Sequence, residues 1–114
     1  MGYDVWIFAV TAALIILDIA TGIAKAAMGR TLSSGAMRQG LYHKAAFVGV
    51  VVLAIICDGA TGHMDLGFSI QLAPAACVYI CLTEIASIIE NLGEINPELK
   101  DSKLLQLFEG SKGE

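Results

Sequence analysis

Charge is scarce in this chain. Charged residues fill 16% of its 114 positions, against about 25% in an ordinary soluble domain. A soluble chain this short buries only part of its surface, so so little charge would leave large apolar patches exposed to water. The seven basic residues are scattered and form no run, which excludes the basic stripe of a nucleic-acid-binding surface. Cysteine is limited to Cys57, Cys77 and Cys81. An odd count without close pairing excludes a disulfide framework. Cys77 and Cys81 share a helix face at i, i+4, but two thiols without a His or carboxylate partner make a poor metal site. All three are expected to be packed, reduced thiols. No Ser–His–Asp set, phosphate-binding glycine loop or HExxH motif is present. His43 and His63 fall on opposite sides of the expected layout, and His63 reads as a solvated loop residue. No catalytic residue, cofactor or metal is therefore expected. No Lys or Arg precedes Lys25, so the first apolar stretch lacks the basic n-region of a cleaved signal and is expected to stay as a helix.

What remains is long hydrophobic runs. Apolar residues make up 56% of the chain, and the mean hydropathy is +0.71. They gather in three stretches, Val5–Ala27, Leu41–Ala60 and Leu66–Ile89. A bilayer core needs about 20 apolar residues per helix, and each stretch is long enough. The expected fold is an all-α integral membrane protein with spans at about 5–27, 36–60 and 68–92. A short amphipathic helix at about 97–108 would follow, carried by Leu99, Leu104, Leu105, Leu107 and Phe108. The whole chain, 1–114, reads as one membrane domain with a short tail, 93–114. The first stretch contains Asp18. About ten strongly apolar residues at roughly −0.3 to −0.6 kcal/mol each outweigh about +3 kcal/mol for one central Asp, so insertion is still favoured.

Local signals fix the ends of the spans. Trp6 suits a membrane interface, and Lys25 can snorkel to the headgroups. Ser33 or Ser34 is a helix N-cap candidate. Residues 36–44 would then form the interfacial beginning of the second helix, with AAFVGVVVLAIIC as its buried part. Pro74 either kinks the third helix or sits in its first turn. Asn96–Pro97 reads as a cap followed by a first helical residue. Lys25, Arg30, Arg38 and Lys44 surround the first linker, the second linker has no Lys or Arg, and Lys100, Lys103 and Lys112 lie in the tail. The positive-inside rule puts the first linker and the tail in the cytoplasm and the N-terminus outside. Arg30, Arg38 and Lys44 are then the cytoplasmic anchors.

Two polar stripes run through the apolar stretches. Asp18, Thr21, Gly22 and Lys25 stand at i, i+3, i+4 and i+7, on one helix face. Ala20–Ala24 and Gly22–Ala26 are small-xxx-small pairs that allow close helix approach. Thr83, Glu84, Ser87, Glu90 and Asn91 form the comparable stripe on the third helix, with Glu84, Ser87 and Asn91 on one face. Such residues avoid lipid. One reading is structural: Asp18 or Lys25 contacts Glu84 or Ser87 and fixes helix packing. Others are an oligomer interface, a water-lined lumen, or a proton or ion relay.

The segment LDIATGIAKAAMGRTLSS resembles the LD-x-x-TG-x-x-K … SS signature of the phage holins grouped with toxin-secretion lysis proteins. These are small holins of phages and prophages of Gram-positive bacteria and of clostridial toxin loci. The resemblance continues through Gly40, Lys44, Asp58 and TEIASIIENLGEINPELK, and covers residues 14–108. Glu84, Ser87, Ile88, Glu90, Asn91 and Pro97 fit the family pattern. Thr83 stands where the family usually has Asn. The resemblance implies a protein that accumulates in the host cytoplasmic membrane, contacts lipid and forms homo-oligomers. The resulting lesion would let an endolysin through, or release a toxin, without implying direct contact with either. The residues also admit a small ion channel or transporter using an intramembrane carboxylate, a subunit of a larger membrane complex, or a non-lytic antiholin.

Overall fold

The structure, a computed structural model, describes residues 2–101 together with 106 and 107. Three long helices carry it: α1 (Trp6–Met28), α2 (Ser34–Ala60) and α3 (Leu72–Ile95). At 1.5 Å per residue they are about 35–40 Å long, enough to cross a hydrocarbon core of about 30 Å. All three combine that length with high hydropathy. No strand occurs among the described residues. The chain folds as the all-helical, three-span membrane architecture that its composition calls for.

Each helix end has an identifiable cause. Asp4 Oδ1 accepts from the Trp6 backbone N–H at 3.0 Å and starts α1. At the other end, Thr31 N–H bonds back to Ala26 O at 2.8 Å and Arg30 N–H to Ala27 O at 3.3 Å. This is a Schellman closure, and it needs a left-handed residue at Arg30, whose φ is +56°. The glycine sits one position early, at Gly29. Ser33 caps α2 by accepting from Ala36 N–H at 3.1 Å. The second linker turns at Gly67, with φ +89°, where Asp65 Oδ1 accepts from the Gly67 N–H at 2.8 Å.

α3 begins at Leu72 rather than near residue 68, and Pro74 sits in its first turn without kinking it. Pro has no N–H to leave unpaired there. The free N–H groups of Leu72 and Ala73 are taken by the Asp58 carboxylate at 2.6 and 2.9 Å. The expected helix over 97–108 is in part a 3-10 turn, Pro97–Asp101. Asn96 Oδ1 accepts from Glu98 N–H at 3.2 Å and starts that turn. Residues 102–105 and 108 of the expected helix lie outside the described residues. The Lys100 stem lies over buried Gly93, so the turn tucks under the end of α3.

α3 is the central helix. α1 packs along it closely, α2 packs on it less extensively, and the backbones of α1 and α2 hardly approach each other. The polarity of the bundle is inverted relative to a soluble protein. Its buried side chains include Thr11, Asp18, Thr21, Glu84 and Asn91 beside Ala54, Ala73, Cys77, Ile80 and Ile88. Its outer surface carries Val10, Ile16, Leu17, Val48, Val52, Leu53, Ile56, Val78 and Leu82, all exposed. Lipid tails are as apolar as Leu, so the outer belt needs no cover and the polar groups go inside.

Candidate functional site

The polar residues of the three helices meet at one level. Asp18 lies ten residues before the end of α1, Lys44 ten residues after the start of α2, and Glu84 eleven before the end of α3. Each is therefore about 15 Å along its helix from the same end of the bundle. The Lys44 amine reaches both Glu84 carboxylate oxygens, at 2.9 and 2.8 Å, and donates to Asp18 Oδ2. Glu84 is fully buried and Asp18 nearly so, at 0% and 6% exposure. One cation thus bridges two carboxylates from two other helices. All three donors of an ammonium point at carboxylate oxygens.

A second layer holds the first. Asn91 Nδ2 donates to Asp18 Oδ1 at 3.1 Å and to Thr21 Oγ1 at 3.0 Å. Thr21 in turn donates to the backbone carbonyls of Leu17 and Asp18. Ser87 lies beside the Asp18 carboxylate. Gly22 lies against Asn91: a Cβ there would meet Asn91 Nδ2 at 3.7 Å, an ordinary van der Waals contact. No buried side-chain nitrogen or oxygen among the described residues lacks a partner. That completeness matters in lipid, where no water can satisfy a stray polar group.

The structure brings together Asp18, Thr21, Gly22, Glu84, Ser87 and Asn91 from the two stripes. Lys25 sits one to two turns away and makes a loose pair with Glu94 at 3.7 Å. Thr83 turns its hydroxyl back to Tyr79 O at 2.9 Å, and Glu90 is exposed. Arg30 and Arg38 are exposed near the linker. Lys44 differs from its expected place. The sequence groups it with the linker anchors, whereas its amine turns inward and becomes the centre of the cluster. The signal that could have found it is depth, since Lys44 is the basic residue standing as far from the linker as Asp18.

Two further polar contacts lie toward the opposite end. The Thr11 hydroxyl donates to Ile7 O at 2.7 Å and lies 3.3 Å from Cys81 Sγ. The Tyr3 hydroxyl donates to Asp58 at 2.5 Å, so one carboxylate ties the N-terminal segment to the α2–α3 connection. Partial burial, then the hydrogen bond and the charge of Asp58, push the Tyr3 phenol up to about 12. The neutral phenol is the form that donates. The contact is therefore intact below the ordinary value near 10 and is lost as pH rises through about 12. Phenolate absorbance in a Tyr42→Phe/Tyr79→Phe background should show Tyr3 titrating near 12. Titration near 10 would show that the contact does not form.

The model of the bacteriophage holin family matches residues 1–110. The chain belongs to the bacteriophage holin family. It is a multi-pass protein of the cytoplasmic membrane, in a family that is not enzymatic. Neither the curated proteins nor the solved structures give a match. The described residues bring together no group of His, Cys, Asp and Glu suited to a metal ion. The three thiols are free, with Cys77 buried on the α3 core face.

Proposed function

We propose that this chain acts as a lytic holin. It accumulates in the host cytoplasmic membrane as three-helix subunits, then assembles into homo-oligomeric lesions that let an endolysin reach the cell wall or let a toxin leave. The observation that carries the reading is the Asp18–Lys44–Glu84 cluster inside a bundle with an apolar exterior. A monomer of this kind is compatible with lipid because its charges are internally paired. The same charges can line a wet interface once several subunits share it. α2 is held to the other helices mainly through α3 and Lys44, so it is the element best able to move. Two arrangements of one set of helices make a switch. The first linker and the tail are placed in the cytoplasm and the N-terminus outside, on the bias of Lys25, Arg30, Arg38 and Lys44. The stripe residues Asp18, Thr21, Glu84, Ser87 and Asn91 then belong to the interface or lumen of the lesion.

The test is inducible expression in a bacterial host, with and without a co-expressed endolysin. A delay, then sudden loss of membrane potential, with lysis only when the endolysin is present, is the expected result. Steady growth with abundant protein in the membrane would overturn the lytic reading.

A further inference from the structure

The second linker, residues 61–71, leaves its apolar side chains uncovered. Apolar and polar residues alternate along it: Met64, Leu66, Phe68 and Ile70 are each followed by Asp65, Gly67, Ser69 and Gln71 in turn. Every residue from 62 to 71 is exposed, and the four apolar side chains are 38–65% exposed. None of them joins the buried core. The segment holds no Lys or Arg, so charge does not draw it to an anionic surface.

The hydrogen bonds of Asp58 fix the level of this segment. The carboxylate takes the N–H groups of Leu72 and Ala73 and the hydroxyl of Tyr3. The start of α3 is therefore level with the end of α2, and the start of α1, at Trp6, lies close to the same level. The ends of three spans mark the border of the hydrocarbon core. Ile70 stands two residues before Leu72, at most about 7 Å along the chain, and Phe68 at most about 14 Å. Trp6 is exposed at this end as well, where a membrane border favours an aromatic ring. Ile56 of α2 and Val78 of α3, about 6 and 9 Å from these helix ends, belong to the exposed apolar belt. The segment thus continues that belt past the helix ends.

We propose that residues 64–70 are an interfacial membrane-binding segment. It lies along the headgroup–acyl boundary of the leaflet away from the first linker, with Met64, Leu66, Phe68 and Ile70 dipping into lipid. Two costs bracket that depth. Deeper, the backbone groups of a segment that is neither helix nor strand would lack partners in hydrocarbon. Shallower, four apolar side chains would stand in water. A second copy of the chain is the poorer occupant. Asp65 Oδ1 takes the Gly67 N–H, and Gly67 turns at φ +89°, so the segment bends at its middle and offers no straight edge for strand pairing. The placement depends on the chain spanning the membrane and is independent of the lytic reading.

Trp6 is the sole tryptophan, so Trp6→Phe/Phe68→Trp and Trp6→Phe/Ile70→Trp each place a single indole in the segment. The full chain is reconstituted in vesicles of phosphatidylcholine and phosphatidylglycerol, with and without acyl chains brominated near the headgroup. Brominated lipid should quench both indoles, and aqueous iodide should quench them about fivefold less than free tryptophan. Full iodide quenching without quenching by brominated lipid would put the segment in water and overturn the proposal. Protection from both quenchers would bury it against a second copy and overturn it equally. Indole has its own preference for interfaces, so the unsubstituted chain is tested too, with a phosphatidylcholine carrying a diazirine high on one acyl chain. After irradiation and proteolysis, peptides covering 64–70 should carry the lipid adduct at a yield within about threefold of that at residues 52–56 of the exposed belt. Adducts on the helices with none on 64–70 would overturn the proposal. If the tryptophan variants lose helicity, this labelling decides alone.

Discussion

Lys44→Met should cost this bundle about 3–5 kcal/mol of stability, the range for removing one partner of a buried ion pair. The cost comes from what remains. Asp18 and Glu84 would face each other in a site that water does not reach, with exposures of 6% and 0%. Asn91 would still donate to Asp18, but Glu84 would lose both of its bonds to the Lys44 amine. Lys44→Arg keeps the charge and should lose far less. Denaturant titration of the detergent-solubilised chain measures both. A Lys44→Met protein as stable as the wild type would show that the cluster does not hold the helices together.

The second large effect separates stability from function. Replacing the whole cluster by apolar residues of similar volume (Asp18→Leu, Lys44→Met and Glu84→Met together) removes the charges and leaves none unpaired. Such replacements are often neutral or stabilising by about 1–4 kcal/mol. The triple variant should therefore be at least as stable as the wild type, in contrast to Lys44→Met alone. In cells carrying an endolysin it should lyse late or not at all. A bundle with no charge in its interior has none to turn toward a shared lumen and less reason to leave its closed packing. Stability and lysis time measured on the same variants separate the two roles. Normal timing in the triple variant would mean that the cluster is packing only.

The spans were legible because length and hydropathy are local properties of the sequence. That Asp18 and Thr21 share one face of α1, and Glu84, Ser87 and Asn91 one face of α3, followed from helical spacing; which way those faces turn did not. Two things were hidden for a physical reason. Lys44 is followed at once by a long apolar run, so it reads as an interfacial anchor even with the second helix expected from about residue 36; what a single segment does not record is that its amine turns inward to Asp18 and Glu84 on the other two helices. Asp58 reads as a loop acid after the second span. It is still helical, and its partners are Tyr3 and the start of α3, 55 and 14 residues away. No periodicity within one segment records such contacts. The start of α3 was misplaced for a similar reason. Residues 66–71 are apolar enough to join the span, but Gly67 turns the chain and Asp58 supplies the cap only at Leu72.

The sparse contact between α1 and α2 has a consequence for biogenesis. The first two helices leave the ribosome before α3 does. At that stage no Glu84 and no Asn91 are present, and the helical hairpin has little packing of its own. Asp18 and Lys44 lie at matching depth on its two arms and can neutralise each other. The hairpin would then partition into lipid as a zwitterion with no net charge in its interior. The third helix arrives last and adds a second carboxylate to a pair that was already balanced. The cluster, with two carboxyl groups on one amine, is thus completed only at the final step of insertion.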